Sequence, residues 1–136
     1  MEHEGVSLAR RMSGGGAVYH DMGNLNFTFS TCLNDSDPDR QRAVIVRACA
    51  LLGAKASVSG RNDILVGGKK VSGHSFYRHD GKAFHNGTLL VCSNLDRLSS
   101  LLTPPAWKWQ GASVPSVRSR VANLNETVPG LTADDM

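Results

Sequence analysis

The clearest pattern along the chain is the alternation that starts at Asn24, where Leu25, Phe27 and Phe29 interleave with Asn26, Thr28 and Ser30. Successive side chains of a strand point to opposite faces, so this stretch reads as a half-buried strand with one apolar and one polar face. Upstream, Val6 and Leu8 alternate with polar neighbours, glycines interrupt, and Ala17-Val18-Tyr19 resumes an extended run. That pattern predicts two strands joined by a glycine loop. The turn residues Asp21-Met22-Gly23-Asn24 then predict an antiparallel hairpin between the Ala17 run and the strand that follows.

A helix is signalled next. Asp37 suits an N-cap, Pro38 the first turn and Gly53 the C-terminal stop, with Ala43, Val44, Val46, Ala50 and Leu51 as its apolar positions. Ile64-Leu65-Val66 and Lys69-Lys70-Val71 flank Gly67-Gly68, a pair free to take the positive φ angles of a tight hairpin turn. Asp80-Gly81 marks another turn, Thr88 to Val91 is apolar enough for a covered strand, and Asn94 opens a short helix through Leu102. Pro104-Pro105 breaks the pattern, Trp107 and Trp109 read as a surface loop, and Ser116 to Leu124 as one short helix. Thr132 with Asp135 marks a helix start just before Met136, so the last element is expected to be cut short. The sum predicts one α+β domain in which antiparallel-rich sheets pack with a few helices.

Composition narrows the class without deciding it. With 136 residues, 40% hydrophobic and 6% aromatic, the chain can bury a modest core and is neither a solvated tail nor an aromatic platform for nucleic acid. A net charge of +3 with pI near 9.0 fits an anionic ligand as well as an ordinary surface. Cys32, Cys49 and Cys92 form no CxxC pair, and their odd number points to a reducing compartment. Cys49 and Cys92 sit in apolar runs and read as buried thiols. No apolar stretch approaches a membrane span, and Glu2 and Glu4 spoil a leader, so a soluble, unexported chain is expected, without membrane or nucleic-acid partners.

Candidate chemistry concentrates in Arg10-Arg11-Met12-Ser13-Gly14-Gly15-Gly16-Ala17-Val18-Tyr19-His20-Asp21. Three glycines let backbone N–H groups approach a bulky or anionic ligand, and Arg11 adds a charge-assisted contact. The run is no GxxxxGK[ST] loop, and Tyr19 occupies the place of the third glycine in GxGxxG. Lys70 is a cation on a strand, and its neighbour Lys69 must point to the other face. Asp63 can offer carboxylate oxygens to magnesium or to ligand groups, with Asn62 a neutral neighbour. His20 contacts a pocket or orients the loop. His74, His79 and His85 lack zinc-ligand spacing.

The first run, continued by Gly23-Asn24, resembles the signature of the lipoate–protein ligase A family, as does Gly60-Arg61-Asn62-Asp63-Ile64 through Gly68-Lys69-Lys70-Val71-Ser72-Gly73. Phe84-His85-Asn86-Gly87-Thr88-Leu89-Leu90 and the segment from Ser116 to Leu124, with Arg118 and Arg120, also look like family segments. Where the family shows two histidines before Gly-Thr, this chain has His85-Asn86.

The resemblance covers nearly the whole chain and implies a partial catalytic domain over residues 1–136, with biotin/lipoate ligase-like fold and further elements at both ends. It implies Lys70 as the catalytic lysine and a substrate and adenylate site at Arg11, Ser13, Gly14, Gly15, Gly16, Ala17, His20, Asn24, Asn62, Asp63, Ser72, Gly73, His85, Gly87 and Thr88. Asp63 is the residue that would hold Mg2+. The implied reaction joins lipoate and ATP into lipoyl-adenylate and passes the lipoyl group to a lysine. The implied acceptors are lipoyl domains of 2-oxoacid dehydrogenase E2 subunits and the glycine-cleavage H protein, in the cytoplasm or, in a eukaryote, the mitochondrial matrix. Its rivals are a lipoyl or octanoyl transferase of the same superfamily that does not consume ATP, and a noncatalytic fragment.

Overall fold

The strand beginning at Asn24 forms as its alternation requires: β1, Asn24–Cys32, half-buries Leu25, Phe27 and Phe29 and exposes Asn26, Thr28 and Ser30. The structure, a computed structural model, describes residues 5–60, 62–102 and 121–136. Asp37 caps α1, Pro38–Leu51, by accepting from the Arg40 N–H at 2.9 Å, and Gly53 ends it at φ +91°. Then follow β2, Ala56–Ser59, which was not foreseen, β3, Asp63–Val66, β4, Lys69–His79, β5, Lys82–Leu90, and α2, Leu95–Leu102. Asn94 Oδ1 caps α2 through the Arg97 N–H at 2.9 Å.

The strands make one antiparallel sheet in the order β1-β5-β4-β3-β2. Its two tight hairpins turn at Gly67-Gly68 (φ +57° and +76°) and Asp80-Gly81 (φ +47° and +70°), both in the left-handed region that suits a two-residue connection. One face of the sheet is the core wall, where Ile64, Val71, Leu89 and Val91 meet Ile45 and Cys49 of α1 and Ala122, Leu124 and Leu131 of the C-terminal segment. Fully buried Ile64, Leu89 and Leu124 each contribute about 2 kcal/mol of apolar burial. The C-terminal segment is tied on by Ala122 N–H to Lys70 O, 3.0 Å, and Asn125 N–H to Val91 O, 3.0 Å.

Several expectations are corrected. No strand forms at Val6–Leu8 or Ala17–Tyr19, and the hairpin onto β1 is absent. The Asp21–Asn24 turn itself forms, with Asn24 N–H on Asp21 O at 3.2 Å, but makes no hairpin: Asp21 places its carboxylate on the Gly23 N–H, 2.9 Å, and the Asn94 N–H, 2.8 Å, while Gly23 O accepts from Val91 and Cys92. The chain is thereby fastened to the β5–α2 junction instead of folding back along β1.

The buried stripe of α1 is Gln41, Ile45 and Cys49, at i, i+4 spacing, with Val46 half-buried, whereas Ala43, Val44, Ala50 and Leu51 face solvent. Cys92 is exposed because the strand ends at Leu90, although Cys49 is buried. Of Ser116 to Leu124, the described part is extended at Val121, which bridges Lys70, and enters a 3-10 turn at Leu124–Glu126. Arg61, Trp107, Trp109, Arg118 and Arg120 lie outside the described residues. The Thr132–Asp135 start is present as a capped 3-10 turn, Ala133–Asp135. Among the described residues no helix is long and apolar enough to cross a membrane.

Candidate functional site

Because strand side chains alternate, burying one face of the sheet turns every second residue of β1, β4 and β5 to the other face. Asn24, Asn26 and Thr28 of β1, Asn86 and Thr88 of β5, and Gly73, Ser75 and Tyr77 of β4 there floor a cavity of about 880 Å³. Its far wall is the glycine loop, and Leu98 and Leu102 of α2 close one side. The loop is docked by Ser13 Oγ on Ser75 Oγ at 2.9 Å.

Arg11 shapes the loop internally. Its Nη2 donates to Gly14 O at 2.9 Å and Gly16 O at 2.7 Å, and its Nε to Gly14 O at 3.3 Å. Carbonyl oxygens that would repel an anion are thus tied to a cation. Gly15 between them has φ +108°, a conformation that side chains disfavour.

His20 Nδ1 accepts from Asn24 Nδ2 at 2.7 Å, which fits a neutral imidazole, and burial followed by the nearby Arg11 charge lowers its pKa, against a smaller opposing effect of Asp21. Asn24 Oδ1 is buried with no hydrogen-bond partner, so an acceptor remains beside the cavity. Asn86, where the family pattern has histidine, accepts the Thr28 hydroxyl at 2.9 Å and lines the floor.

The charged centre is Lys70 on β4 with Asp63 on β3. Lys70 Nζ stands 2.7 Å from Asp63 Oδ1, each side chain about 30% exposed (29% and 31%). Gly73 makes room: a Cβ there would lie 3.2 Å from Lys70 Cε and 3.4 Å from Nζ. Lys69 points away and pairs with exposed Glu126 at 3.0 Å, a contact that lowers the Glu126 pKa. The two lysines occupy different environments, as strand alternation requires.

Fourteen of the sixteen sequence-derived residues line this cavity: Arg11, Ser13, Gly15, Gly16, Ala17, His20, Asn24, Asn62, Asp63, Lys70, Ser72, Gly73, Gly87 and Thr88, although Ser72, expected to bind substrate, reaches it with backbone alone because its hydroxyl is buried on the core face, 3.2 Å from His74 Nε2. Gly14 does not line it, although its carbonyl accepts from Arg11 as that of Gly16 does. His85 is the larger departure. It lies on the core face, 2% exposed, with Nδ1 on Gln41 Oε1 at 2.9 Å and Nε2 on His74 Nδ1 at 2.7 Å. It cannot touch a ligand on the cavity face. Phe27 overlies Gly87, whose Cβ would sit 2.1 Å from the ring, so Gly87 serves packing on one face and cavity backbone on the other.

Sequence reasoning missed Ser75, Tyr77, Leu98 and Leu102, although period-two spacing from Gly73 would have found the first two. It also missed His74 and Gln41, which only the fold brings to His85. Among the described residues no three His, Cys, Asp or Glu side chains gather as a metal cluster. Asp63 alone is a donor set that suits Mg2+ when substrate phosphates supply the other oxygens.

The family described as the lipoyl protein ligase A/B catalytic domain matches residues 1–136. Lipoate-protein ligase A of Psychrobacter cryohalolentis is 48% identical over 126 residues, which span 93% of this chain and 37% of that protein. A bi-partite lipoate protein ligase from Thermoplasma acidophilum, solved in work on that ligase and its E2 lipoyl domain, superposes with TM-score 0.78 at 34% identity, over 94% of this chain and 52% of that one. A lipoate-protein ligase A bound with ATP superposes with TM-score 0.75 at 31% identity, over 99% of this chain and 56% of that one. The chain therefore spans roughly a third to a half of the length of these relatives. By sequence and fold, the chain belongs to the lipoyl protein ligase A/B catalytic-domain family.

Proposed function

We propose that the protein to which residues 1–136 belong is an ATP-dependent lipoate–protein ligase, with these residues forming part of its catalytic domain. The observation that carries the reading is the Lys70–Asp63 pair at 2.7 Å in the lining of a cavity that the Arg11-braced glycine loop also lines. The similarity to an ATP-bound lipoate-protein ligase A supports ATP as the co-substrate.

In the first step a lipoate carboxylate oxygen attacks the α-phosphorus of ATP, the bond to the β-phosphate oxygen breaks, and lipoyl-adenylate and pyrophosphate form. Two anions must approach, so a fixed ammonium between them lowers the barrier, and Lys70 is held where it can supply that charge. Mg2+, held by Asp63 with the triphosphate, would neutralise phosphate charge. The glycine loop brings backbone N–H groups close to the adenylate, and Leu98 and Leu102 offer apolar wall to the acyl chain.

In the second step an acceptor lysine amine attacks the mixed anhydride, forming the amide and releasing AMP. Positioning and charge suffice, and no covalent enzyme intermediate is required. The acceptors are lipoyl domains of 2-oxoacid dehydrogenase E2 subunits and the glycine-cleavage H protein, in the cytoplasm or mitochondrial matrix.

The test is to incubate the full native polypeptide with lipoate, MgATP and an acceptor lipoyl domain, following pyrophosphate and the mass of the domain. Pyrophosphate release with a lipoyl mass gain is expected. Modification only from preformed lipoyl-adenylate, with no pyrophosphate from ATP, would make the protein a transferase instead.

A further inference from the structure

The reaction uses nothing on the core face of the sheet, yet four polar side chains are buried there in a row: Ser72 (1% exposed), His74 (8%), His85 (2%) and Gln41 (8%). Ser72 Oγ lies 3.2 Å from His74 Nε2, His74 Nδ1 lies 2.7 Å from His85 Nε2, and His85 Nδ1 lies 2.9 Å from Gln41 Oε1. With Gln41 Oε1 as the final acceptor, each link has one donor and one acceptor while both rings are neutral: Ser72 O–H to His74, His74 N–H to His85, His85 N–H to Gln41. Phe27, Phe29 and Phe76 pack around the rings. A leucine at position 41 would simply extend the Ile45–Cys49 stripe of α1, so the glutamine is accounted for by the hydrogen-bonded row it completes.

The row ends at a particular place in β4. Alternation alone would put Lys70 on the face of Ser72 and His74, opposite Gly73. Instead Lys70 lies against Gly73, because the β3–β4 register shifts: Ile64 pairs with Ser72 but Leu65 pairs with Lys70. Val71 is the extra residue of this bulge, and it turns into the core beside Ser72. The bulge re-aims Lys70 into the cavity, and Ser72 is the first residue after it.

We propose that the Gln41–His85–His74–Ser72 row is a positioning device: it locks the bulge that turns Lys70 toward Asp63, so that Gln41, across the sheet from the cavity, governs the rate of adenylation. The functional part rests on the ligase reading above. The structural part does not.

The experiment compares Gln41→Leu and Gln41→Glu with the wild type in the full native polypeptide, well below each melting temperature. Gln41→Leu removes the terminal acceptor, and Gln41→Glu keeps an oxygen at the same reach. For Gln41→Leu, kcat for pyrophosphate release should fall about tenfold with the KM for ATP within about twofold, since a displaced catalytic group costs rate rather than binding. Gln41→Glu should restore most of kcat. Hydrogen exchange gives an arm independent of activity: the Ala122 amide, bonded to Lys70 O at 3.0 Å, should lose protection in Gln41→Leu and keep it in Gln41→Glu.

If Gln41→Leu does not fold, His74→Asn replaces it. Its amide nitrogen stands in for ring Nδ1 and keeps the bond to His85 while cutting the link to Ser72, and the same losses are expected. Wild-type kcat and wild-type Ala122 exchange in the folded variant that lacks the link would overturn the proposal. A wild type that releases no pyrophosphate would overturn the ligase reading, and the exchange arm would still decide this one.

Discussion

Replacing Lys70 by alanine separates chemistry from folding more sharply than any other single change. The ion pair it breaks is 2.7 Å long but leaves both partners about 30% exposed, 29% and 31%, so solvent screens it. Such a pair is worth within about 1 kcal/mol of stability. The loss of one fixed charge at the adenylation transition state costs about 3 kcal/mol, a hundredfold or more in rate. Lys70→Ala should therefore release pyrophosphate at least about a hundredfold more slowly while melting within a few degrees of the wild type. Lys70→Arg should also be slow, because a planar fork does not occupy the point of a compact ammonium. Lys69→Ala loses only an exposed partner, Glu126, and should stay near normal. One confounding effect is testable: Lys70→Ala leaves Asp63 unpaired, and its bare charge would itself repel ATP. Repulsion of ATP would raise the KM for ATP, whereas loss of the transition-state charge lowers kcat, and kcat is expected to carry most of the defect. Near-wild-type pyrophosphate release by Lys70→Ala, or a larger defect in Lys69→Ala, would refute the assignment.

Three further outcomes are expected. Gly15→Val places a β-branched residue at φ +108° beside the Arg11 guanidinium, and titration calorimetry should show lipoyl-adenylate affinity reduced by about tenfold, from roughly 1–3 kcal/mol of strain. Gly23→Ala drives a Cβ to 2.3 Å from the Cys92 carbonyl oxygen, between backbone segments that cannot both yield, and thermal unfolding should show a loss of about 3 kcal/mol. The third concerns acid. Burial first, with Arg42 and for His74 also His85 adding repulsion, holds His74 and His85 down to about 4 from 6.5. Their neutral forms are favoured by folding, so this stabilisation is complete above pH 6.5 and is lost as pH falls toward 4. The urea midpoint should drop between pH 7 and pH 5 in the wild type and change much less in His74→Phe/His85→Phe; equal slopes would contradict the neutral row.

Features that arise from local chemistry were readable in the sequence. Asp37-Pro38, Gly67-Gly68 and Asp80-Gly81 each carry their geometry in two adjacent residues, and the structure places a cap and two turns there. The cavity residues followed from motif resemblance together with strand alternation, which separated Lys70 from Lys69. What failed depended on distant partners. Ala17–Tyr19 looks like a strand, but the carboxylate of Asp21 fastens its turn to Asn94, far along the chain. Gln41 looks like a solvent-facing residue until His85 arrives beside it from β5. His85 itself sat in a ligand-binding motif, and only the register with β1 and β4 shows that its side chain leaves on the other side of the sheet.

A sheet that is core wall on one side and cavity floor on the other gives β5 a divided inheritance. Ala83, His85, Gly87 and Leu89 are buried, the middle two beside Phe27 and Leu89 in the core, whereas Phe84, Asn86 and Thr88 face the cavity. Substitutions walked along this strand should therefore produce a sawtooth, with melting temperature falling at odd positions and ligand affinity changing at even ones. Ligand preference can drift at Asn86 or Thr88 by single replacements that the fold scarcely registers, while each residue between them is held still by packing. The histidine-to-asparagine departure at position 86 falls on the permissive side of that divide.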